Sequence, residues 1–176
     1  LVGGSFAAFA GAPASCLARL NSDGTRDTTF LTAGLNNTIS GAGLLSTGKI
    51  LLTGSFTQHT ATSPVTVSNR ARFARLNADG SLDSAVNFTV RCPGSINAIV
   101  AVPGGKTVVA GFFTHLRGAT APVAIARVNA DGSLDTAFNS GGFGANSNIY
   151  AVLLQPDGRL VITGFFTSYN GTAANR

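Results

Sequence analysis

One short segment occurs three times in this chain, and its repetition constrains the fold more than any other feature. The copies are ARLNSDGTRDTTF at 18–30, ARLNADGSLDSAV at 74–86 and ARVNADGSLDTAF at 126–138. A second marker, Gly-x-Phe, recurs four times, starting at Gly4, Gly54, Gly111 and Gly164. Both recur about every 50–57 residues, a period typical of propellers, solenoids and repeat arrays.

Each period contains four extended segments joined by two tight turns. Apolar runs at 149–155 and 159–166 flank a Pro-Asp-Gly turn. After a polar loop, a third strand (122–129 in the preceding period) and a short fourth strand (133–138) flank an Ala-Asp-Gly turn. Asp-Gly between extended runs is a strong hairpin signal. The period therefore predicts four antiparallel strands, the pattern of a β-propeller blade.

The first two strands of a period are apolar on both faces. Val152 and Leu154 alternate with Ala151 and Leu153. Such a strand must be covered on both faces. Blades stacked around an axis provide this cover, whereas a simple two-layer sandwich leaves one polar face.

The markers divide the chain into one repeat array of four parts, here called repeats 1 to 4. Repeat 1 is partial (1–30), repeats 2 and 3 are complete (38–88 and 95–138), and repeat 4 is partial (148–176). Closed propellers contain about four to eight blades, and this array has about three and a third. We expect it to be part of a longer chain or assembly, which leaves a closed ring and an open array or fibre as alternatives.

Composition narrows the range of partners. The net charge is +5, only 11% of residues are charged, and the arginines are spread over the repeats. This does not resemble a nucleic-acid surface, where basic residues cluster. The chain has no apolar run long enough to span a bilayer, so we expect no membrane insertion. Cys16 and Cys92 could form a disulfide between repeats or remain two thiols.

The sequence predicts no catalytic residue, metal site or cofactor. His59 and His115 have no acidic neighbour in sequence that would make a general acid–base pair. The turn after Asn77 resembles part of a calcium loop, but Arg75 stands where such a loop needs its first carboxylate.

Three arginine–aspartate pairs recur on the strands flanking the second turn. We expect each pair to lock its hairpin, with a stabilisation of about 0–1 kcal/mol if it is exposed. The pairs are Arg19 with Asp27, Arg75 with Asp83, and Arg127 with Asp135.

The variable loops fall on the same edge of successive blades and share one position. That position holds Phe9, His59, Leu116 and Tyr169. Loops aligned along one edge often carry recognition in repeat scaffolds, so these residues are candidates for a binding edge. Ordinary loop packing is the alternative.

The units resemble the roughly 55-residue delta-60 repeats of bacterial β-propellers, with the pattern ARLNADGSLDxxF…VxAxxxQPDGKILxGGxF. Residues 126–138 and 150–166 carry the resemblance. It implies a repetitive bacterial protein that is secreted or at the cell surface, with no catalytic residues to transfer. We therefore expect a non-enzymatic scaffold that self-associates through open blade faces. Its partner would be a second copy of the chain, another protein or a glycan. A closed propeller that binds a glycan or protein is the alternative.

Overall fold

The computed structural model describes residues 1–31, 34–45, 47–62, 65–69, 72–85, 94–116, 119–120 and 123–174. These residues form short strands and one 3-10 turn, Pro103–Gly105. The strands are β1 (Val2–Gly3), β2 (Ala8–Phe9), β3 (Ala12–Pro13), β4 (Leu17–Ala18), β5 (Gly34–Leu35), β6 (Ile39–Leu44), β7 (Ile50–Gly54), β8 (Gln58–Thr62), β9 (Val65–Asn69), β10 (Phe73–Leu76), β11 (Ser95–Val102), β12 (Lys106–Phe112), β13 (His115–Leu116), β14 (Ala119–Thr120), β15 (Ile125–Val128), β16 (Ile149–Leu154), β17 (Leu160–Gly164), β18 (Ser168–Tyr169) and β19 (Thr172–Ala173).

The chain divides into two compact units, Leu1–Asn87 and Phe88–Arg176. The first unit holds the strands of repeats 1 and 2, and the second holds those of repeats 3 and 4. Each unit is therefore a pair of neighbouring repeats.

Each complete repeat folds into an antiparallel three-stranded sheet with its second strand in the middle. The order is β6-β7-β10 in repeat 2 and β11-β12-β15 in repeat 3. In repeat 4, β16 pairs with β17, and in repeat 1, β1 pairs with β4. The strands lie on the apolar runs of the sequence, because these runs can be buried on both faces. The all-β prediction is confirmed.

The fourth segment of repeats 1 to 3 is shorter than the four-strand pattern suggests. It contributes a single antiparallel bridge, such as Leu76 with Leu82 in repeat 2. Directly afterwards, Oδ1 of Asp83 accepts a hydrogen bond from the N–H of Ala85 at 3.1 Å. This local bond between an aspartate and the backbone two residues later turns the chain. The carboxylate therefore ends the strand after one bridge.

The segments predicted as polar loops are themselves β-hairpins, and this corrects the sequence interpretation. β2 pairs with β3, β8 with β9, β13 with β14, and β18 with β19. In the first of them, Ala10 (φ 48°) and Gly11 (φ 76°) both adopt left-handed backbone, which suits a two-residue hairpin turn. β8 also pairs with β5, which leads into the same repeat.

The residue just before the third strand forms backbone hydrogen bonds with the Gly-x-Phe marker. In repeat 2, the N–H of Gly54 donates to Arg72 O at 3.2 Å, and the N–H of Arg72 donates to Phe56 O at 2.8 Å. Arg72 has φ 65°, and its counterparts Cys16 and Ala124 each have φ 66°. Non-glycine residues rarely adopt this conformation, so sequence gave no signal for it.

The marker glycine also lies opposite a β-bulge in the first strand. The register shifts between Ile39 and Gly41 in repeat 2, and at the equivalent place in repeats 3 and 4. A Cβ added to Gly54 would collide with the backbone oxygen of Thr38 and lie 3.0 Å from the Cα of Ile39. The bulge therefore requires glycine at this position.

Each unit has its core between its two repeats. In the first unit, Leu17 and Phe30 of repeat 1 pack with Ile50, Leu52 and Leu76 of repeat 2. In the second, Val108, Ala110 and Ile125 of repeat 3 form one cluster with residues of repeat 4, including Ile149 and Phe166. Neighbouring repeats thus bury apolar sheet faces against each other.

Candidate functional site: hairpin locks, edge hairpins and an open face

The three arginine–aspartate pairs lie within salt-bridge distance. The Nε atom of each arginine lies 2.7–2.8 Å from Oδ2 of the aspartate eight residues later. Burial differs between them. The side chains of Arg75 and Asp83 are 9% and 7% exposed, whereas that of Arg19 is 31% exposed. The middle pair is therefore the one with the greatest potential effect on stability.

Two of these pairs each have a further partner, a lysine at the start of the second strand of their own repeat. The sequence interpretation missed these two lysines. Lys49 Nζ contacts Asp83 Oδ2, and Lys106 Nζ lies 2.7 Å from Asp135 Oδ2. The chain has no other lysine, and each follows the glycine of the first turn. That recurrence was the signal available in the sequence. Two cations on one carboxylate connect the second strand to the third-strand hairpin.

The three arginine–aspartate pairs are here called the locks. The pKa of each lock aspartate is below its usual value. Hydrogen bonds from Lys106 and Arg127 lower the pKa of Asp135 to about 2. The pKa of Asp27 is also about 2, chiefly because the hydroxyl and N–H of Thr29 donate to it. Hydrogen bonds to a carboxylate favour its charged form. These groups therefore remain ionised to low pH.

The shared edge position lies at the second residue of the first strand in each edge hairpin. His59 in β8 is only 3% exposed, and its backbone pairs with Leu35 of β5. Tyr169 is half-buried, and burial raises the pKa of its hydroxyl. Phe9 is half-buried with its ring 6.0 Å from that of Phe6, and Leu116 lies in β13. The His59 side chain is thus buried, and those of Tyr169 and Phe9 are partly buried.

An asparagine before the first strand holds the edge hairpin in repeats 2 and 4. Asn36 Oδ1 accepts hydrogen bonds from the N–H groups of Thr57 (2.9 Å) and Gln58 (3.1 Å), and its Nδ2 donates to Thr57 Oγ1 (3.0 Å). Asn146 makes the equivalent bonds in repeat 4 at 2.9, 3.1 and 3.0 Å. The sequence analysis assigned these asparagines no structural role, although their equal distance from Ile39 and Ile149 was visible.

Replacing Asn36 by Ala should loosen the edge hairpin of repeat 2. The lost hydrogen bonds are worth about 1 kcal/mol, which corresponds to roughly fivefold faster hydrogen exchange at the N–H groups of Thr57 and Gln58. Asn37→Ala is the control, since Asn37 bonds only to the adjacent N–H of Thr38 among the described contacts. Equal exchange rates in the two variants would contradict the clamp.

Repeat 4 exposes an apolar sheet face, here called the open face. It consists of Tyr150, Ala151, Leu153, Val161, Thr163 and Phe165, all of them exposed. Leu153 is 63% exposed and Phe165 is 53% exposed. The rings of Tyr150 and Phe165 meet edge to face at 5.4 Å. Contiguous exposed apolar side chains of this kind are typical of interaction sites.

The same face is covered in repeat 3. By strand register, Ala98, Val100 and Val108 are the counterparts of Ala151, Leu153 and Val161. All three belong to the cluster that packs against repeat 4. The natural cover of this face is therefore a further repeat.

One polar contact accompanies that covered interface. Asn97, the bulge residue of β11, donates from Nδ2 to Asn148 Oδ1 at 2.8 Å and to Ile149 O at 3.0 Å. The bulge residue of repeat 4 is Tyr150. The open face therefore offers an aromatic side chain where repeat 3 uses an amide.

Neither a metal centre nor a membrane helix is found in the described part of the chain. No group of three or more His, Cys or Asp side chains in those residues is placed to hold a metal ion. None of their helical segments is long and apolar enough to cross a bilayer. Cys16 is half-buried, and Cys92 lies outside the described residues, so their pairing stays open.

Comparison with known proteins identifies the repeat. The family model described as a domain of unknown function (DUF5122) beta-propeller matches residues 1–30, 45–85, 103–138 and 155–176. These matches cover more than half of the chain and include the Gly-x-Phe marker and the lock aspartates. No curated protein and no solved structure matches the chain. The prediction of propeller-type repeats is confirmed, and the chain belongs to the DUF5122 beta-propeller family.

Proposed function

We propose that this protein is a non-enzymatic structural scaffold, secreted or displayed on the surface of a bacterium, which self-associates through its open face. The open face is the observation that carries the proposal. It is apolar, it is exposed, and its counterpart in repeat 3 is buried against a neighbouring repeat. A second copy of the chain can supply such a neighbour.

Such a contact would be head-to-tail, between unlike surfaces. The two faces of a repeat are different surfaces. The open face of one copy would therefore contact the opposite face of a repeat in the next copy. A head-to-tail contact between unlike surfaces gives a ring if the rotation closes and a filament if it does not.

Replacing Leu153 by Asp should abolish this self-association. A charge at the centre of a buried apolar contact costs about 3 kcal/mol or more, which is at least a 100-fold loss of affinity. Leu44→Asp is a matched control, because Leu44 is a strand residue of repeat 2 that is 64% exposed. Sedimentation velocity would measure assembly size, and negative-stain electron microscopy would show its form.

Filaments with a regular axial repeat that Leu153→Asp removes and Leu44→Asp leaves intact would support the scaffold. A wild-type chain that stays monomeric over the accessible concentration range would contradict it. Discrete rings insensitive to Leu153→Asp would also contradict it and would favour the closed, ligand-binding propeller. In that case the edge hairpins would be tested on a glycan array.

A further inference from the structure

The edge hairpin of repeat 2 is longer than the others and belongs to a three-stranded antiparallel sheet, β5-β8-β9, here called the edge sheet. β8 and β9 have five residues each, whereas the strands of the other edge hairpins have two. β9 (Val65–Asn69) forms one side of the edge sheet, and it pairs with β8 and with no other strand among the described residues. An exposed strand edge of this kind is a template for pairing with another chain.

The register of the edge sheet fixes which backbone groups of β9 point outward. The N–H of Asn36 donates to Gln58 O at 3.3 Å, and the N–H of Gln58 donates to Asn36 Oδ1 at 3.1 Å, so the backbone of Gln58 is directed toward the β5 side. Successive residues of a strand direct their backbone groups to opposite sides, so His59 is directed toward β9 and its partner Ser68 toward β8. The N–H and C=O groups of Val67 therefore point away from β8, at the outer edge of the sheet.

This edge lacks the features that usually prevent strand addition. Natural edge strands are commonly protected by a charged residue such as lysine, by proline or by a β-bulge. β9 has the sequence VTVSN, without a charge or a proline. Its pairing with β8 continues over all five residues without a register shift, and the side chain of Val67 is 59% exposed. The outer edge of β9 is therefore open to a further strand.

The charges around β9 indicate the chemistry of that strand. From residue 28 to residue 78 the chain has no acidic residue, and it has four basic ones: Lys49, Arg70, Arg72 and Arg75. Lys49 and Arg75 both contact Asp83. Arg72, three residues beyond β9, forms no salt bridge within the described part of the chain, and backbone hydrogen bonds with the Gly-x-Phe marker fix its position. A segment with carboxylates would therefore complement the C-terminal end of β9.

A second copy of this chain is a poor source of such carboxylates. Its seven acidic residues are all aspartates, and each of them accepts a hydrogen bond from the backbone N–H two residues later. Three of them also hold the arginines of the locks. These carboxylates are engaged in their own turns, which favours a segment of another protein.

We propose that the outer edge of β9 binds an extended acidic segment of another protein. The segment adds to the edge sheet as an antiparallel strand, because this direction continues the order of the sheet and is slightly more stable per residue than parallel pairing. Backbone hydrogen bonds with Val67 supply affinity, and carboxylates beside Arg72 supply specificity. In the antiparallel direction, the acidic residues lie at the N-terminal end of the bound segment. The site uses no residue of the open face and does not depend on self-association.

Two fluorescent peptides of equal composition test this site. One carries two glutamates at its N-terminus, followed by alternating valine and threonine, and the other carries the same glutamates at its C-terminus. When they are titrated onto the full chain and followed by anisotropy, the first should bind saturably and at least about threefold more tightly than the second. Higher salt should weaken its binding. A peptide with lysines in place of the glutamates should bind at least about tenfold more weakly than the first.

Val67→Pro blocks the edge with little risk to the fold, because proline is tolerated in an edge strand where the missing N–H would face outward. This variant should lose at least about tenfold in affinity, while Val67→Thr, which keeps the N–H, should bind like the wild type. Arg72→Gln, which removes only the charge, should weaken binding about threefold. If Val67→Pro does not fold, hydrogen exchange of the wild type takes its place. Bound peptide should slow exchange at the N–H of Val67 and leave that of Ser68, which is directed toward β8, nearly unchanged.

Saturable binding of the glutamate-first peptide that Val67→Pro removes would support the site. Absence of saturable binding by either acidic peptide, or equal binding of the lysine peptide, would overturn the acidic partner. Equal or tighter binding of the glutamate-last peptide would overturn the antiparallel direction, and equal binding to Val67→Pro would overturn the edge of β9 as the site. A wild-type dimer that Val67→Pro dissociates, without peptide binding, would replace the other protein by a second copy. Leu153→Asp should bind the peptide like the wild type, so failure of the open-face contact and failure of this site are observed separately.

Discussion

Replacing Gly54 by Ala is expected to destabilise the first unit by about 3 kcal/mol, the upper end of what overpacking usually costs. A methyl group at this position collides with the backbone of Thr38 and Ile39, where the first strand bulges. Backbone atoms cannot move aside as a flexible side chain can, so the bulge itself would have to shift. For a chain of this length, the thermal midpoint should fall by roughly 6–12 °C.

The repeats supply a matched control for this substitution. Gly4 holds the same marker position in repeat 1, and a Cβ there would meet only ring atoms of Phe6, the nearest at 3.3 Å. Neither Gly4 nor Gly54 has a positive φ, so alanine adds no backbone strain at either position. Gly4→Ala should leave the midpoint nearly unchanged. Similar losses in both variants would show that the bulge is not the reason for the glycine.

The prediction of the repeat and its strands worked because the signals lie within single strands. Apolar runs, turn glycines and a regular period depend only on local sequence, and they located β7, β12 and β17 closely. The exposed face of repeat 4 was also foreseeable, since Leu153 and Val152 made that strand apolar on both sides. Burial on both faces follows from composition alone.

Features that depend on contacts between segments could not be derived in this way. The strands of the edge hairpins are rich in polar residues, so they do not show the alternation of apolar and polar residues that indicates a strand. In addition, β5 pairs with β8, from which β6 and β7 separate it in sequence. The bulge residue and the left-handed residue before β10 leave no mark in the sequence, because Ser40 and Arg72 have no special preference for these conformations. Hydrogen bonds between different strands determine both of these backbone conformations.

The lock residues fall between these cases. The repeated spacing of Arg75 and Asp83 suggested a pair, but the burial that makes this pair differ from Arg19 and Asp27 depends on packing around each repeat. The contribution of Lys49 was missed because it lies outside the hairpin that carries the pair, although its recurrence after the turn glycine was visible. The locks of different repeats therefore share the same pairing distances but contribute differently to the free energy of unfolding.

Replacing Asp83 by Ala should have a larger effect than any other change to a lock. The substitution leaves the buried guanidinium of Arg75 without its carboxylate, and removing one member of a buried ion pair costs about 3–5 kcal/mol. Asp27→Ala is the control, because its arginine is far more exposed. The midpoint of thermal unfolding at neutral pH should fall much further for Asp83→Ala. Equal losses would show that burial does not set the strength of the lock.

The wild-type chain and the Asp83→Ala variant should also differ in acid. Burial raises the pKa of Asp83, but hydrogen bonds from Lys49, Ala85 and Arg75 outweigh it and leave the pKa below its usual value. The unfolded chain, with aspartate pKa values of about 3.9, then binds more protons than the folded chain. Stability from the lock is thus present above the unfolded pKa of about 3.9 and is lost as the pH falls below it, through the lower folded pKa. Wild-type stability should fall over that window, and the fall should be shallower in Asp83→Ala, which has already lost the group that titrates. An equally steep decline in that variant would place the acid sensitivity in other carboxylates.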